Sequence, residues 1–179
     1  MKKRIIAVIG SVLIFIGILA GCTSMPDSEQ RTYKVTFVQL GQSNVIKEVR
    51  YGEELSDIPV PKDKIGYTVV WDITDFQGIT SDIIVTAIET ANEYTITYSL
   101  GELAGDANAK IELTTQTVTF DSPYNLCTPS CYGYTFIKWV RTGTDIEVKN
   151  GIWSVAESES LTAVWEIDKN SDRWWSDNF

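Results

Sequence analysis

The sequence contains no histidine among its 179 residues. That absence excludes the Ser-His-Asp and Cys-His arrangements that activate a nucleophile, and it excludes every zinc site with an imidazole ligand. Catalysis by paired carboxylates needs no histidine, but no spacing of Asp and Glu favours it. We therefore expect that the chain is not an enzyme and that it carries no cofactor or metal ion.

Basic residues are also scarce. The chain has 15 Lys and Arg against 24 Asp and Glu, which gives a formal net charge of -9. Three of the basic residues (Lys2, Lys3 and Arg4) stand at the start, so the remainder has a charge nearer -12. With no long Lys or Arg run, this charge argues against a nucleic-acid partner.

No apolar run is long enough to cross a membrane as a helix. The longest lies at residues 5–19, about fifteen residues, whereas a spanning helix needs roughly 20. It follows the basic start and is followed by Leu19-Ala20-Gly21-Cys22. A charged start, a short apolar run and small residues at its end are typical of a secretory signal peptide.

The end of this leader, Leu19-Ala20-Gly21-Cys22, resembles the bacterial lipobox. The resemblance implies that the Cys22 thiol receives a diacylglyceryl group and that the preceding peptide bond is then cut. Residues 1–21 would be the leader and residues 22–32, which are mostly polar and aperiodic, a flexible tether. The expected location is the extracytoplasmic face of the cell membrane, through a lipid anchor at Cys22. The alternative is an ordinary secreted protein with a stray cysteine.

The rest of the chain reads as β-strands that recur in one order. Apolar and polar residues alternate, with many β-branched and aromatic side chains, at residues 33–40, 45–51, 66–71, 81–88, 93–98, 116–120, 133–139 and 161–165. The segment at 93–98 repeats the one at 32–37 sixty-one residues later, and three further landmarks follow in the same order. This internal repeat predicts two tandem modules, at residues 33–92 and 93–167.

The landmarks of the second copy are Tyr94-x-Ile96-x-Tyr98, Pro129, Gly133-Tyr134-x-Phe136-x-x-Trp139 and Leu161-Thr162-Ala163-Val164-Trp165. They resemble the internalin-type B repeat, also called the Listeria-Bacteroides repeat. The resemblance implies a mostly β fold of two small β-grasp-like modules with mainly antiparallel strands. It also implies surface presentation, an adhesion-like or spacer role, and no catalytic residues.

The first copy departs from this pattern. Val69 replaces the usual Phe, Trp71 comes one residue early, and Ile88 stands in place of the closing Trp. In both copies the Gly-Tyr aromatics could form a platform for a ligand, but their repetition favours a packing role in the core.

Two cysteines, Cys127 and Cys131, are separated by three residues. Outside the cytoplasm such a pair is expected to oxidise where geometry allows, so we predict a disulfide that would staple the turn at Pro129. Two reduced thiols or a redox pair are the alternatives. Metal binding is disfavoured, because two cysteines without histidine fall short of four ligands.

The tail at residues 168–179 carries an aromatic pair, Trp174 and Trp175, beyond the last predicted strand. It could pack on the second module, enter the membrane interface or bind a partner. The function we expect is that of a surface interaction, adhesion or spacer protein with a protein or glycan partner. The alternative is a carbohydrate-binding accessory protein of a cell-envelope enzyme, which would use Trp153, Trp174 or Trp175.

Overall fold

The computed structural model describes residues 31–178, without the side chains of Trp174, Asp177 and Asn178. The predicted leader, Cys22 and nearly all of the predicted tether lie outside this range. The described chain contains eleven strands, one short 3-10 helix at Gly101–Leu103 and one helix, α1, at Asp172–Asn178.

The first sheet contains four strands, which are β1 (Thr32–Val38), β2 (Val45–Arg50), β3 (Tyr67–Trp71) and β4 (Ile83–Ala91). Their order is β2-β1-β4-β3. The central pair, β1 and β4, is parallel, and the two outer pairings are antiparallel. Alternation of apolar and polar residues gives this sheet one buried face, on which Val35, Phe37 and Val85 are almost completely buried.

The second sheet contains five strands, which are β5 (Glu93–Ser99), β6 (Thr115–Thr119), β8 (Tyr134–Arg141), β9 (Glu147–Val148) and β11 (Glu159–Ile167). Their order is β6-β5-β11-β8-β9, again with a parallel central pair, β5 and β11. The remaining strands, β7 (Pro123–Tyr124) and β10 (Gly151–Ile152), form a two-stranded antiparallel ribbon.

The predicted mostly β fold with mainly antiparallel strands is confirmed. The two sheets share one strand order, apart from the extra edge strand β9, and each lies over its own hydrophobic cluster. The first cluster includes Leu55, Phe76 and Ile79 from loops, and the second includes Leu103 and Trp153.

The early position of Trp71 is explained by a β-bulge. Trp71 pairs with Ala87, and Trp139 pairs with the corresponding Ala163. In the second sheet the register shifts between Val164 and Trp165, and Ile137 is the extra residue that this irregularity accommodates. The two tryptophans therefore occupy the same place in the fold despite their different spacing from the preceding glycine.

The two modules meet where the turn before β3 contacts the end of β6. The Tyr67 ring packs edge-on against the Phe120 ring, with centroids 5.6 Å apart, and its hydroxyl donates to Asp121 Oδ2 at 2.8 Å. The Asn92 backbone joins both sides, since its N–H donates to the Gly66 carbonyl and its carbonyl accepts from the Phe120 N–H, each at 2.9 Å. We call this contact the joint.

Candidate interaction surfaces

Each module holds a tryptophan that fastens a loop to its sheet. The Trp71 indole N–H donates to the Pro59 carbonyl at 2.7 Å, and the Trp139 indole N–H donates to the Cys127 carbonyl at 2.7 Å. The Trp139 ring is buried and packs against Tyr98 on the central strand, with centroids 4.7 Å apart. These tryptophans are structural, and Trp139 lies in the core as its repetition predicts.

Replacing Trp139 by phenylalanine is expected to lower the free energy of unfolding by about 1–3 kcal/mol. The partly buried hydrogen bond to the Cys127 carbonyl would be lost, and the smaller ring would leave space in the core where the Trp139 ring is buried. Tyr132→Phe, which removes an exposed hydroxyl from a neighbouring loop, is the control and should change stability by less than about 0.5 kcal/mol. Equal urea-unfolding midpoints for the two variants would contradict the assignment.

An open groove of about 390 Å³ lies between the Cys127 loop and strands β8 and β9. Its lining includes Cys127, Phe136, Trp139 and Val148. Burial raises the pKa of the Cys127 thiol, whose Sγ lies 3.8 Å from the Leu113 carbonyl oxygen. The thiol is therefore protonated at neutral pH, which makes it a poor nucleophile.

Cys131 has different neighbours. Its Sγ lies 3.7 Å from the Tyr132 carbonyl oxygen and 4.0 Å from Nη1 of Arg173, and burial raises the pKa of this thiol as well. Both cysteines are free, so the predicted disulfide is not formed in this structure. Its absence has a local reason, because each sulfur packs among separate partners and the Cys127 carbonyl is held by Trp139.

The tail packs back on the second module, which was one of the three alternatives that its composition left open. Its α1 helix is attached through Arg173, a residue that the sequence did not single out. Trp175 is 55% exposed, while the Trp174 side chain lies outside the described part of the chain. Among the other predicted site residues in the described part of the chain, Cys131 lies close to this helix, with its Sγ 4.0 Å from Arg173 Nη1.

Arg173 occupies a socket formed by the turn before β8. Its guanidinium bonds the Asp106 carboxylate, donates to the Tyr132 carbonyl at 3.1 Å and lies over the Tyr134 ring, 5.0 Å from its centroid. A Cβ added at Gly133 would lie 2.6 Å from Arg173 Cδ. Hydrogen bonding from Arg173 lowers the pKa of Asp106. No periodicity connects these distant positions, so only the folded chain reveals them.

The face of the first sheet that points away from its core is mixed, with the charged Lys34, Glu48 and Arg50 on it. We call it the outer face, and its exposed aliphatic members are Ile46, Val70, Ile84 and Ile88. Ile46 and Ile84 both pair with Thr36, one from each side, so the three form a row across β2, β1 and β4. Ile84 is 69% exposed. Adjacent exposed apolar side chains on a sheet often mark an interaction site.

The second sheet has the same row but no apolar members in it. There Thr97 pairs with Thr115 on one side and with Ser160 on the other. Hydroxyl side chains therefore suffice for this position of the fold. The apolar residues of the first sheet are not needed to build it.

Trp153 is unsuited to the carbohydrate-binding role considered for it. Its side chain is only 2% exposed and packs edge-on against the Tyr124 ring, with centroids 5.3 Å apart. A buried indole cannot stack on a sugar. Of the three tryptophans considered, Trp175 is therefore the one shown to be accessible.

Residues 31–178 contain no helix with the length and apolar character to span a bilayer. In the same range, no group of three or more His, Cys, Asp or Glu is placed to hold a metal ion.

Comparison with known proteins adds no relative. No protein-family model matches the sequence, and no curated protein is significantly similar to it. The resemblance to the internalin-type B repeat therefore stays a prediction carried by the motifs themselves.

Proposed function

We propose that this chain is a membrane-anchored extracytoplasmic lipoprotein that acts as a surface interaction protein rather than as an enzyme. The leader pattern and Cys22 support the anchor. Two acyl chains at one cysteine would hold the protein firmly, because each buried methylene contributes about 0.8 kcal/mol. The modules would then stand outside the membrane on a short tether.

The observation that carries the interaction role is the exposure of aliphatic residues on the outer face of the first sheet. Ile46 and Ile84 lie where the second sheet has Thr115 and Ser160. Because the same fold is built with hydroxyls at these positions, the isoleucines are best explained by contact with a partner. Exposed aliphatic side chains with charged residues on the same face suit a protein partner that has an apolar patch and a polar rim.

The joint supports a second aspect of the role, which is spacing. The Tyr67–Phe120 ring contact and the Tyr67–Asp121 hydrogen bond connect the modules without a flexible linker. Such a connection fixes the second module relative to the outer face of the first.

The test exchanges the outer-face isoleucines for the residues of the second module. In the double variant Ile46→Thr, Ile84→Ser, the fold should persist, while partner capture by crosslinking on intact cells that carry the full chain should fall at least tenfold. Full burial of one isoleucine contributes about 1.5–3 kcal/mol, and about 1.4 kcal/mol corresponds to a tenfold change in affinity.

Leu40→Thr is the matched control, since Leu40 is a highly exposed apolar residue in the turn after β1 and lies off the outer face. It should leave capture unchanged. Capture that is equal for the wild type, the control and the double variant would contradict an interaction role for the outer face.

A further inference from the structure

The turn before β3 in the first module and the turn before β8 in the second have the same geometry. Gly66 and Gly133 both have positive φ, of 77° and 80°, which glycine adopts without strain. Each glycine carbonyl accepts a 2.9 Å hydrogen bond from the backbone N–H of the residue that follows the module's last strand, Asn92 after β4 and Asp168 after β11. The two modules therefore end in equivalent surfaces, which we call the end surfaces.

Both end surfaces are covered, but by different segments. At the first, a Cβ added at Gly66 would lie 2.4 Å from the Phe120 ring of the next module. The same ring packs against Tyr67. At the second, Arg173 takes that place against Gly133 and Tyr134. The α1 helix thus occupies the position that a following module occupies in the joint.

The opposite end of the first module carries the counterpart of Phe120. Tyr51 follows β2 as Phe120 follows β6, and its N–H donates to the Arg31 carbonyl as the Phe120 N–H donates to the Asn92 carbonyl. Tyr51 is 41% exposed, whereas Phe120, which is covered in the joint, is 8% exposed. This aromatic residue therefore has the place of a joint residue and, although its ring lies 6.3 Å from that of Tyr33, it is more exposed than Phe120.

We infer that α1 is a cap on an end surface whose alternative occupant is the Tyr51 end of a second copy of this chain. Displacement of Arg173 opens the surface at Gly133, and the first module of another copy binds there as the second module binds at Gly66. The cap keeps the chain from assembling head to tail, which is the role that terminal repeats have in repeat proteins.

Charge complementarity favours this occupant. Release of Arg173 leaves the Asp106 carboxylate without the guanidinium that it bonds in the capped form. The Tyr51 end carries Arg50, which is exposed and directly precedes Tyr51. A cation from the incoming copy can therefore replace the one that leaves.

The test is sedimentation equilibrium of the full chain, without its leader and lipid, at about 0.15 M salt, where exposed like charges are screened beyond about 8 Å. The wild type should remain a monomer. Arg173→Ala should self-associate, and its average mass should at least double as its concentration approaches about 1 mM. That concentration is comparable to the effective concentration that a short covalent link supplies within one chain. Adding Tyr51→Asp to Arg173→Ala should restore the monomer.

Lys169→Ala is the control, because it removes an exposed cation from the tail outside the socket, and it should stay monomeric. Amide exchange at Ile96, a fully buried core residue of β5, reports whether Arg173→Ala is folded. A folded Arg173→Ala that remains monomeric, or one whose association survives Tyr51→Asp, would overturn the inference. Should Arg173→Ala unfold, Arg173→Gln, which also removes the charge but keeps a longer side chain, takes its place, and the same two outcomes would overturn the inference.

This inference goes beyond the proposed function, since it uses neither the outer face nor the lipid anchor. Loss of partner capture in the outer-face variant and self-association of Arg173→Ala are separate results, and either can fail alone.

Discussion

Replacing Gly66 by alanine is expected to lower the free energy of unfolding by about 2–5 kcal/mol. Alanine in a left-handed conformation costs about 1–2 kcal/mol, and forcing an extra methyl into a packed site typically costs a further 1–3 kcal/mol. The new Cβ would lie 2.4 Å from the Phe120 ring, which is buried in the joint and has little room to move. This substitution is therefore a direct probe of the contact between the modules.

Gly52→Ala separates the two causes. Gly52 has almost the same φ, 76°, but no atom lies within 4 Å of the Cβ that alanine would add. It should lower stability by the backbone cost alone, about 1–2 kcal/mol. The measurement is urea unfolding of both variants beside the wild type. If the two variants were equally destabilised, the Phe120 ring would not be packed on Gly66 as described.

Replacing Cys22 by serine is expected to abolish lipid attachment. A hydroxyl does not replace the thiol that the lipobox resemblance designates as the acceptor, so incorporation of radioactive lipid should fall to background. Because cleavage would follow lipid addition, the variant should also keep residues 1–21 and show the larger mass of the uncleaved chain.

Cys127→Ser is the matched control for that experiment. It removes another thiol, in the folded part of the chain, and should leave both lipid incorporation and leader removal at the wild-type level. Undiminished lipid incorporation by the Cys22→Ser protein would refute the anchor and with it the membrane part of the proposed function.

The longer strands could be read from the sequence because their signal is local. Alternation of β-branched and aromatic residues placed β1 and β5 within two residues of their observed ends. The two-residue strands β7, β9 and β10 escaped prediction, since two residues carry no periodicity. β7 and β10 pair because the second module brings two distant segments together, whereas β9 folds back on β8 through a short loop.

The candidate surfaces, too, were predictable only where they depend on residues close together in the chain. Exposed isoleucines such as Ile84 belong to a strand that the sequence predicted, yet their exposure depends on which face the loops cover. The Arg173 socket joins Asp106 to a residue 67 positions later in the chain, and no pattern in the sequence connects the two.

The sequence by itself determined the mostly β character of this protein and the repetition of its Gly-Tyr signature, because both depend on residues close together in the chain. The tertiary structure decided what that signature is for. Gly133 provides a positive φ and a surface without a Cβ, and Trp139 fastens the loop that carries Cys127. It also shows Cys127 and Cys131 as free thiols, and it returns the tail to the second module, an outcome that depends on contact between distant segments.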